Sequence, residues 1–277
     1  MLDINSTVRL NSGQDMPSLG FGVFEIENGP VCERAVTAAL EAGYRHIDTA
    51  AIYGNEESVG NALADGGVPR EQIFLTTKVF IGDLGREKTR AACEASLKRL
   101  RTDYVDLYLI HWPIQEGLME AWETMQALRD EGKARSIGVS NFTVRRFEEV
   151  VFRHTDEVPA VDQVEFHPFW YRTELLEYCR GKGIQLESYS PLVRAQRMDD
   201  PTLKELAAKA GKSVPQVLIR WQLQHGLVVI PKSSHPERIA ENAKVFDFEL
   251  SPDDMARLDS LNEDLCTISW RPEDDWF

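Results

Sequence analysis

A closed (β/α)8 barrel of the α/β class is what this sequence predicts, because from about Gly20 onward short apolar runs alternate with longer amphipathic ones eight times. That alternation is the mark of repeated βα units around a parallel sheet. The 277 residues, 43% hydrophobic and 27% charged, show no Pro/Gly/Ser-rich linker, no shift in composition and no low-complexity tract, so 1–277 reads as a single domain with one full core. Eight units in this length suit a closed sheet. An open, doubly wound sheet has the same alternation, and the pattern alone does not exclude it.

The N-terminal stretch VRLNSGQDMPSL comes first, two short extended pieces around an Asn-Ser-Gly-Gln turn, expected to form a hairpin that plugs the barrel floor. Strands are expected at Leu19 to Val23, His46 to Thr49, Ile73 to Lys78, Val105 to His111, Ser136 to Ser140, Ala160 to Glu165, Gln185 to Ser188 and Val228 to Pro231. Between them lie segments of period near 3.6, among them CERAVTAALEAG, TRAACEASLKRL, LMEAWETMQALRDEG and VPQVLIRWQLQHG. Several end at the Gly that favours a helix C-terminus. LSPDDMARLDSLN then reads as a capped amphipathic helix, and LCTISWRPEDDWF as an irregular tail whose two tryptophans are expected to fold over a site.

Composition narrows the function. A net charge of −14 and a pI near 4.9 repel nucleic acid and anionic membranes, so neither is expected as a partner. MLDINSTVRLNSG has neither a basic n-region nor an apolar h-region, and no later stretch is apolar enough to cross a bilayer. Cys32, Cys93, Cys179 and Cys266 are far apart with no CxxC pair, which reads as reduced thiols in a cytoplasmic protein, and no metal site is expected.

In a βα barrel, chemistry collects where the strands end on the C-terminal face. Asp48 ends the second strand, with Tyr53 in the loop behind it; Lys78 ends the third and His111 the fourth. Further round stand Ser140 and Asn141, Gln163, Tyr189 and Lys232. Each alone has an ordinary structural explanation: a helix cap for Asp48, any carboxylate partner for Lys78, a satisfied core histidine for His111, packing for Tyr53. Together on one rim they make a coherent acid catalyst. Rival motifs fail on spacing. GFGVFE lacks the third Gly of a dinucleotide fingerprint, GDLGREK lacks Walker spacing, and GVSNF lacks the last Gly of a nucleophile elbow.

The segments GYRHIDTAAIYGNEE, YVDLYLIHWP, IGVSNF and IPKS with ERIAEN, together with the Lys78 and Gln163 strands, resemble the signatures of the aldo-keto reductase superfamily in the family's own order, from Val8 to about Asn262. The branch they resemble is that of bacterial 2,5-diketo-D-gluconate reductases and glyoxal reductases. The resemblance implies a TIM barrel with an N-terminal hairpin and a C-terminal loop over the active site. It also implies NADPH-dependent reduction of aldehydes or ketones, such as methylglyoxal-type dicarbonyls, aryl aldehydes or keto-sugars, by a monomeric enzyme. Superfamily members that serve as channel subunits or lens crystallins supply the alternative, a cofactor-binding regulatory or structural protein.

By resemblance, Asp48, Tyr53, Lys78 and His111 form a catalytic tetrad. The ammonium of Lys78 is expected to bring the Tyr53 phenol down from its reference pKa of about 10. Asp48 would hold Lys78 charged, and His111 would fix the carbonyl oxygen. Ser140, Asn141 and Gln163 match positions that bind the nicotinamide carboxamide, Tyr189 the one that stacks on its ring, and Lys232, Ser233 and Arg238 the clamp on a 2′-phosphate. Glu241 and Asn242 match adenine contacts; Gly22, Ser190, Leu192 and Ser234 complete the NADP(H) set. The implied substrate walls are Phe24, Ile52, Phe80, Trp112 and Trp270. Departures are SPLVRAQ where the branch has SPLGQG, Trp270-Arg271 where relatives show Gly-Pro, and His235 where some have a second basic residue. Arg194, in the altered loop, is expected either to meet the diphosphate or to be solvated.

Overall fold

A computed structural model describes residues 2–268; the expected roles of Trp270 and Arg271 lie outside the described residues. Strand β1 (Thr7–Arg9) pairs antiparallel with β2 (Asp15–Pro17), and the barrel strands follow: β3 (Phe21–Gly22), β4 (His46–Asp48), β5 (Phe74–Val79), β6 (Val105–Ile110), β7 (Ala134–Ser140), β8 (Val161–Glu165), β9 (Gln185–Tyr189) and β10 (Val228–Val229). All eight pair in parallel in chain order. A parallel bridge from Leu19 to Val229, with Gly20 N–H donating to Val229 O at 2.9 Å, joins the last strand to the first. The sheet is therefore a closed barrel, and the doubly wound alternative falls away.

The hairpin closes the floor as expected. Leu10 and Met16 are buried against Phe74, Leu107, Leu109 and Val161 from the barrel interior, and Asn11 donates to the carbonyl of Pro159 at 3.1 Å. At Gly20 a Cβ would stand 2.5 Å from the His46 ring, so the first strand passes the second at a distance that no side chain permits.

Helices cover the outside because each presents one apolar stripe to the sheet. The helix Pro30–Glu41 starts on a proline, whose missing N–H costs nothing in the first turn, and buries Cys32, Ala35, Val36, Ala39 and Leu40. Ser213 and Gln216 form a reciprocal capping box that starts Val214–Gln224, and Ser251 accepts from Asp254 N–H at the start of Pro252–Asp259. Strand ends differ from the sequence expectation by a residue or two; the largest change shortens Leu19–Val23 to Phe21–Gly22 flanked by bridging contacts. Among the described residues no helix is long and apolar enough to cross a membrane.

Candidate active site

A cavity of about 530 Å³ opens at the C-terminal ends of the strands, within the usual range for a ligand pocket. Asp48 ends β4, and the chain then makes a short turn, Ala51–Tyr53, closed by Gly54 at φ 68°. That left-handed residue, cheap for glycine, turns the chain just behind Tyr53, whose ring lines the cavity. Lys78, fully buried on β5, donates to Asp48 Oδ1 at 2.7 Å and Oδ2 at 2.9 Å, to Thr49 O at 2.9 Å, and approaches Tyr53 Oη at 3.5 Å. His111, just past β6, sets its ring 5.6 Å from that of Tyr53. All four residues of the expected tetrad therefore converge.

Their protonation follows from burial and charge. Desolvation works against the Lys78 ammonium, but its acidic neighbours together, Asp48 foremost, outweigh it and hold the lysine above its usual range. His111 is pushed well below the usual histidine range, by burial first and by Lys78 second, so its ring is neutral. Tyr53 corrects an expectation. Its phenol is raised, because desolvation exceeds the pull of a lysine whose charge Asp48 already balances. Tyr53 thus keeps its proton across the neutral range.

Beyond the tetrad, Gly22, Ser140, Asn141, Gln163, Tyr189, Ser190, Leu192 and Lys232 all line the cavity. Asn141, in the left-handed region that asparagine tolerates, donates to His111 O at 3.0 Å and accepts from Tyr189 Oη at 2.7 Å. Ser140 donates to Gln163 O at 2.7 Å, and Gln163 Nε2 reaches Asp48 Oδ2 at 2.8 Å. These side chains are oriented by one another. Ser233, Ser234, Arg238, Glu241 and Asn242 lie outside the cavity lining, on the loop after β10 and the helix Pro236–Asn242. Lys232 and Arg238 are exposed, and neither makes an ion pair among the described residues.

Of the expected walls, Phe24, Ile52, Phe80 and Trp112 line the cavity, and Trp270 falls outside the described residues. Ile268, which the sequence reading did not single out, lines it too. Arg194 is exposed and lines the cavity. It pairs with Glu25 at 2.6 Å across the mouth, and its loop carries Val193, Arg194 and Ala195 at φ of 54°, 46° and 62°. A β-branched residue in that region costs on the order of 1–3 kcal/mol, which full burial of Val193 offsets.

Two interior acids were also missed. Glu187 on β9 is buried beside Asp48, and Glu165 at the end of β8 accepts from His167 Nε2 at 3.0 Å, Thr267 N–H at 2.9 Å and Cys266 Sγ at 3.2 Å. Both stand in strands that carry other polar residues, VDQVE and QLESY, so neither is singled out by its own strand.

The Aldo/keto reductase family pattern matches residues 18–263. The chain is 51% identical over 261 residues to the glyoxal reductase of Bacillus subtilis, covering 94% of each, and 45% identical over 260 residues to the 9,11-endoperoxide prostaglandin H2 reductase of Trypanosoma cruzi, covering 93% of this chain and 92% of that one. Among solved structures, an aldo-keto reductase of Bombyx mori in complex with NADP superposes with a TM-score of 0.89 at 38% identity, covering 97% of this chain and 96% of that one. With the closed barrel and the converged tetrad positions, these matches place the chain in the aldo/keto reductase family.

Proposed function

We propose that this protein reduces the carbonyl group of a small aldehyde or ketone to an alcohol, with NADPH as the reductant and Tyr53 as the acid. The observation that carries the reading is Lys78 Nζ, bonded to both oxygens of Asp48 and standing 3.5 Å from Tyr53 Oη at the floor of the cavity. When bound, the nicotinamide supplies hydride to the carbonyl carbon. Tyr53 gives its proton to the carbonyl oxygen, and Lys78 stabilises the phenolate left behind. Neutral His111 has a buried Nδ1 without a partner among the described residues. Its other ring nitrogen is therefore the one able to orient the carbonyl oxygen beside Tyr53.

The residues fit such a cofactor. Gln163 Oε1 has no partner among the described residues and offers an acceptor for an amide N–H, while Lys232 and Arg238, in no ion pair among the described residues, are the cations that would hold a 2′-phosphate. The name of the 51% identical relative, glyoxal reductase, supports a short dicarbonyl as the substrate of this protein. The test is an NADPH-consumption screen across methylglyoxal, phenylglyoxal, aryl aldehydes, diketones and keto-sugars. Turnover of at least one class is expected. NADPH binding without turnover of any would favour a regulatory or structural role.

A further inference from the structure

Below the cavity the barrel interior holds an acid that the reaction itself leaves unused. Glu187 is fully buried on β9, and its Oε2 accepts from Gln163 Nε2 at 2.8 Å. The same nitrogen donates to Asp48 Oδ2, also at 2.8 Å. An amide nitrogen has two hydrogens, and both are thus taken by oxygens beneath the site. Two anchors fix the plane of the amide; one would fix only a point. Gln163 lines the cavity, so what it offers there is its carbonyl oxygen.

The surroundings of Glu187 agree with this role. Burial first and the charge of Asp48 second push it up to about 8, so near neutrality it holds its proton and adds no second negative charge beside the Asp48–Lys78 pair. Its Oε1 has no hydrogen-bond partner among the described residues and faces His46 Nε2 at 3.5 Å. His46, lowered to about 3 by burial and by Lys78, is neutral and bonds Thr76 Oγ1 at 3.1 Å. A proton on Oε1 leaves Oε2 as the acceptor that Gln163 needs.

We infer that Glu187 is a positioning residue that locks the Gln163 amide with its oxygen toward the cavity, so that the site selects a cofactor carrying an N–H donor on its ring substituent. This rests on the nicotinamide reading above. The probe is the reduced 3-acetylpyridine analogue of NADPH, in which a methyl group replaces the amide nitrogen. Dissociation constants for it and for NADPH are measured by fluorescence titration in the wild type, Glu187→Gln and Glu187→Leu, each checked for folding by thermal unfolding.

The wild type is expected to prefer NADPH by about tenfold or more, the loss of one well-placed hydrogen bond in a dry site. Glu187→Gln keeps an acceptor and should keep the preference. Glu187→Leu frees one side of the amide and should shrink the ratio to about threefold or less; Glu187→Ala replaces it in the comparison if the leucine does not fold. An unchanged ratio in a folded variant lacking the acceptor overturns the inference, as does a wild type that binds both cofactors equally. Binding of neither cofactor by the wild type would instead overturn the nicotinamide reading.

Discussion

At the floor of the cavity Lys78 is fully buried between Asp48, Thr49 and Tyr53, whereas at the rim Phe24 and Ile52 are 46% and 53% exposed and Arg194 reaches Glu25 over the mouth. The floor is held by charge in a dry interior, the rim by exposed apolar surface and one screened ion pair. The contrast fits the work that the proposed function gives to each. Moving a proton needs donors and acceptors already fixed before the substrate arrives, and that is worth most where water is excluded. Admitting carbonyl compounds of different shape needs surface that can repack, which a buried network does not allow.

Substitutions at the floor should therefore cost far more than substitutions at the rim. Tyr53→Phe removes the proton donor and keeps the ring, so turnover should fall about 10²- to 10⁴-fold with NADPH affinity nearly unchanged. A folded variant retaining wild-type carbonyl reduction would end the assignment of Tyr53. Lys78→Met should damage turnover similarly and also strand Asp48 without its counter-charge, at a cost of about 3–5 kcal/mol in denaturant unfolding. Arg194→Ala, which breaks a partly exposed pair, should cost about 0–1 kcal/mol. Equal losses in the two variants would erase the distinction between floor and rim.

The proposed phosphate clamp lies beyond the rim, with only Lys232 in the cavity lining, yet charge should give it a larger effect than packing gives the rim residues. Arg238 can meet a 2′-phosphate bidentately, and an NADPH preference of about tenfold to several hundredfold corresponds to roughly 1.4 to 3.5 kcal/mol. Arg238→Ala should erase most of it, raising the NADPH dissociation constant while barely altering that for NADH. Because the net charge is −14, the attraction is local, and added salt should narrow the gap. Equal wild-type affinity for both cofactors at low salt would show that Lys232 and Arg238 do not form the clamp.

How much of this was readable beforehand divides along the same line. The order of strands follows from the alternation of apolar and amphipathic runs, the hairpin from its turn residues, and the four tetrad positions from the family resemblance; the strands, the hairpin and the convergence of the four residues are found in the structure. The barrel's closure rests on a bridge between Leu19 and Val229, more than two hundred residues apart, which no local pattern encodes. The protonation of Tyr53 was misread because pairwise charge is visible in a sequence and desolvation is not. Glu187 and Glu165 were passed over because which face of β9 or β8 turns inward, and what meets the side chain there, depends on strands and segments remote in the chain. The Arg194–Glu25 pair likewise joins residues 169 apart, so its partner could not be read from the loop that carries it.

The smallest effect tests where floor and rim join. Glu165 lies at the end of β8 and ties Cys266 and Thr267 to the barrel, and the next residue, Ile268, lines the cavity. Burial alone would raise this carboxyl, but the hydrogen bonds from His167 and Thr267 outweigh it and hold Glu165 below the usual carboxylate range. Its folded value lies under the unfolded reference of about 4.3, so its contribution is complete above that reference and is lost as acid takes the pH down through the lowered value. Glu165→Gln leaves a side chain of the same shape that accepts fewer hydrogen bonds and carries no charge. It should loosen the segment, shift KM for bulky aryl aldehydes several-fold against methylglyoxal, and leave the NADPH dissociation constant unchanged. It should also flatten the acid limb of the stability-against-pH curve. Identical KM values across both substrates in a folded variant would mean that the segment keeps its place without Glu165, and that the wall near Ile268 is set by contacts other than this carboxylate.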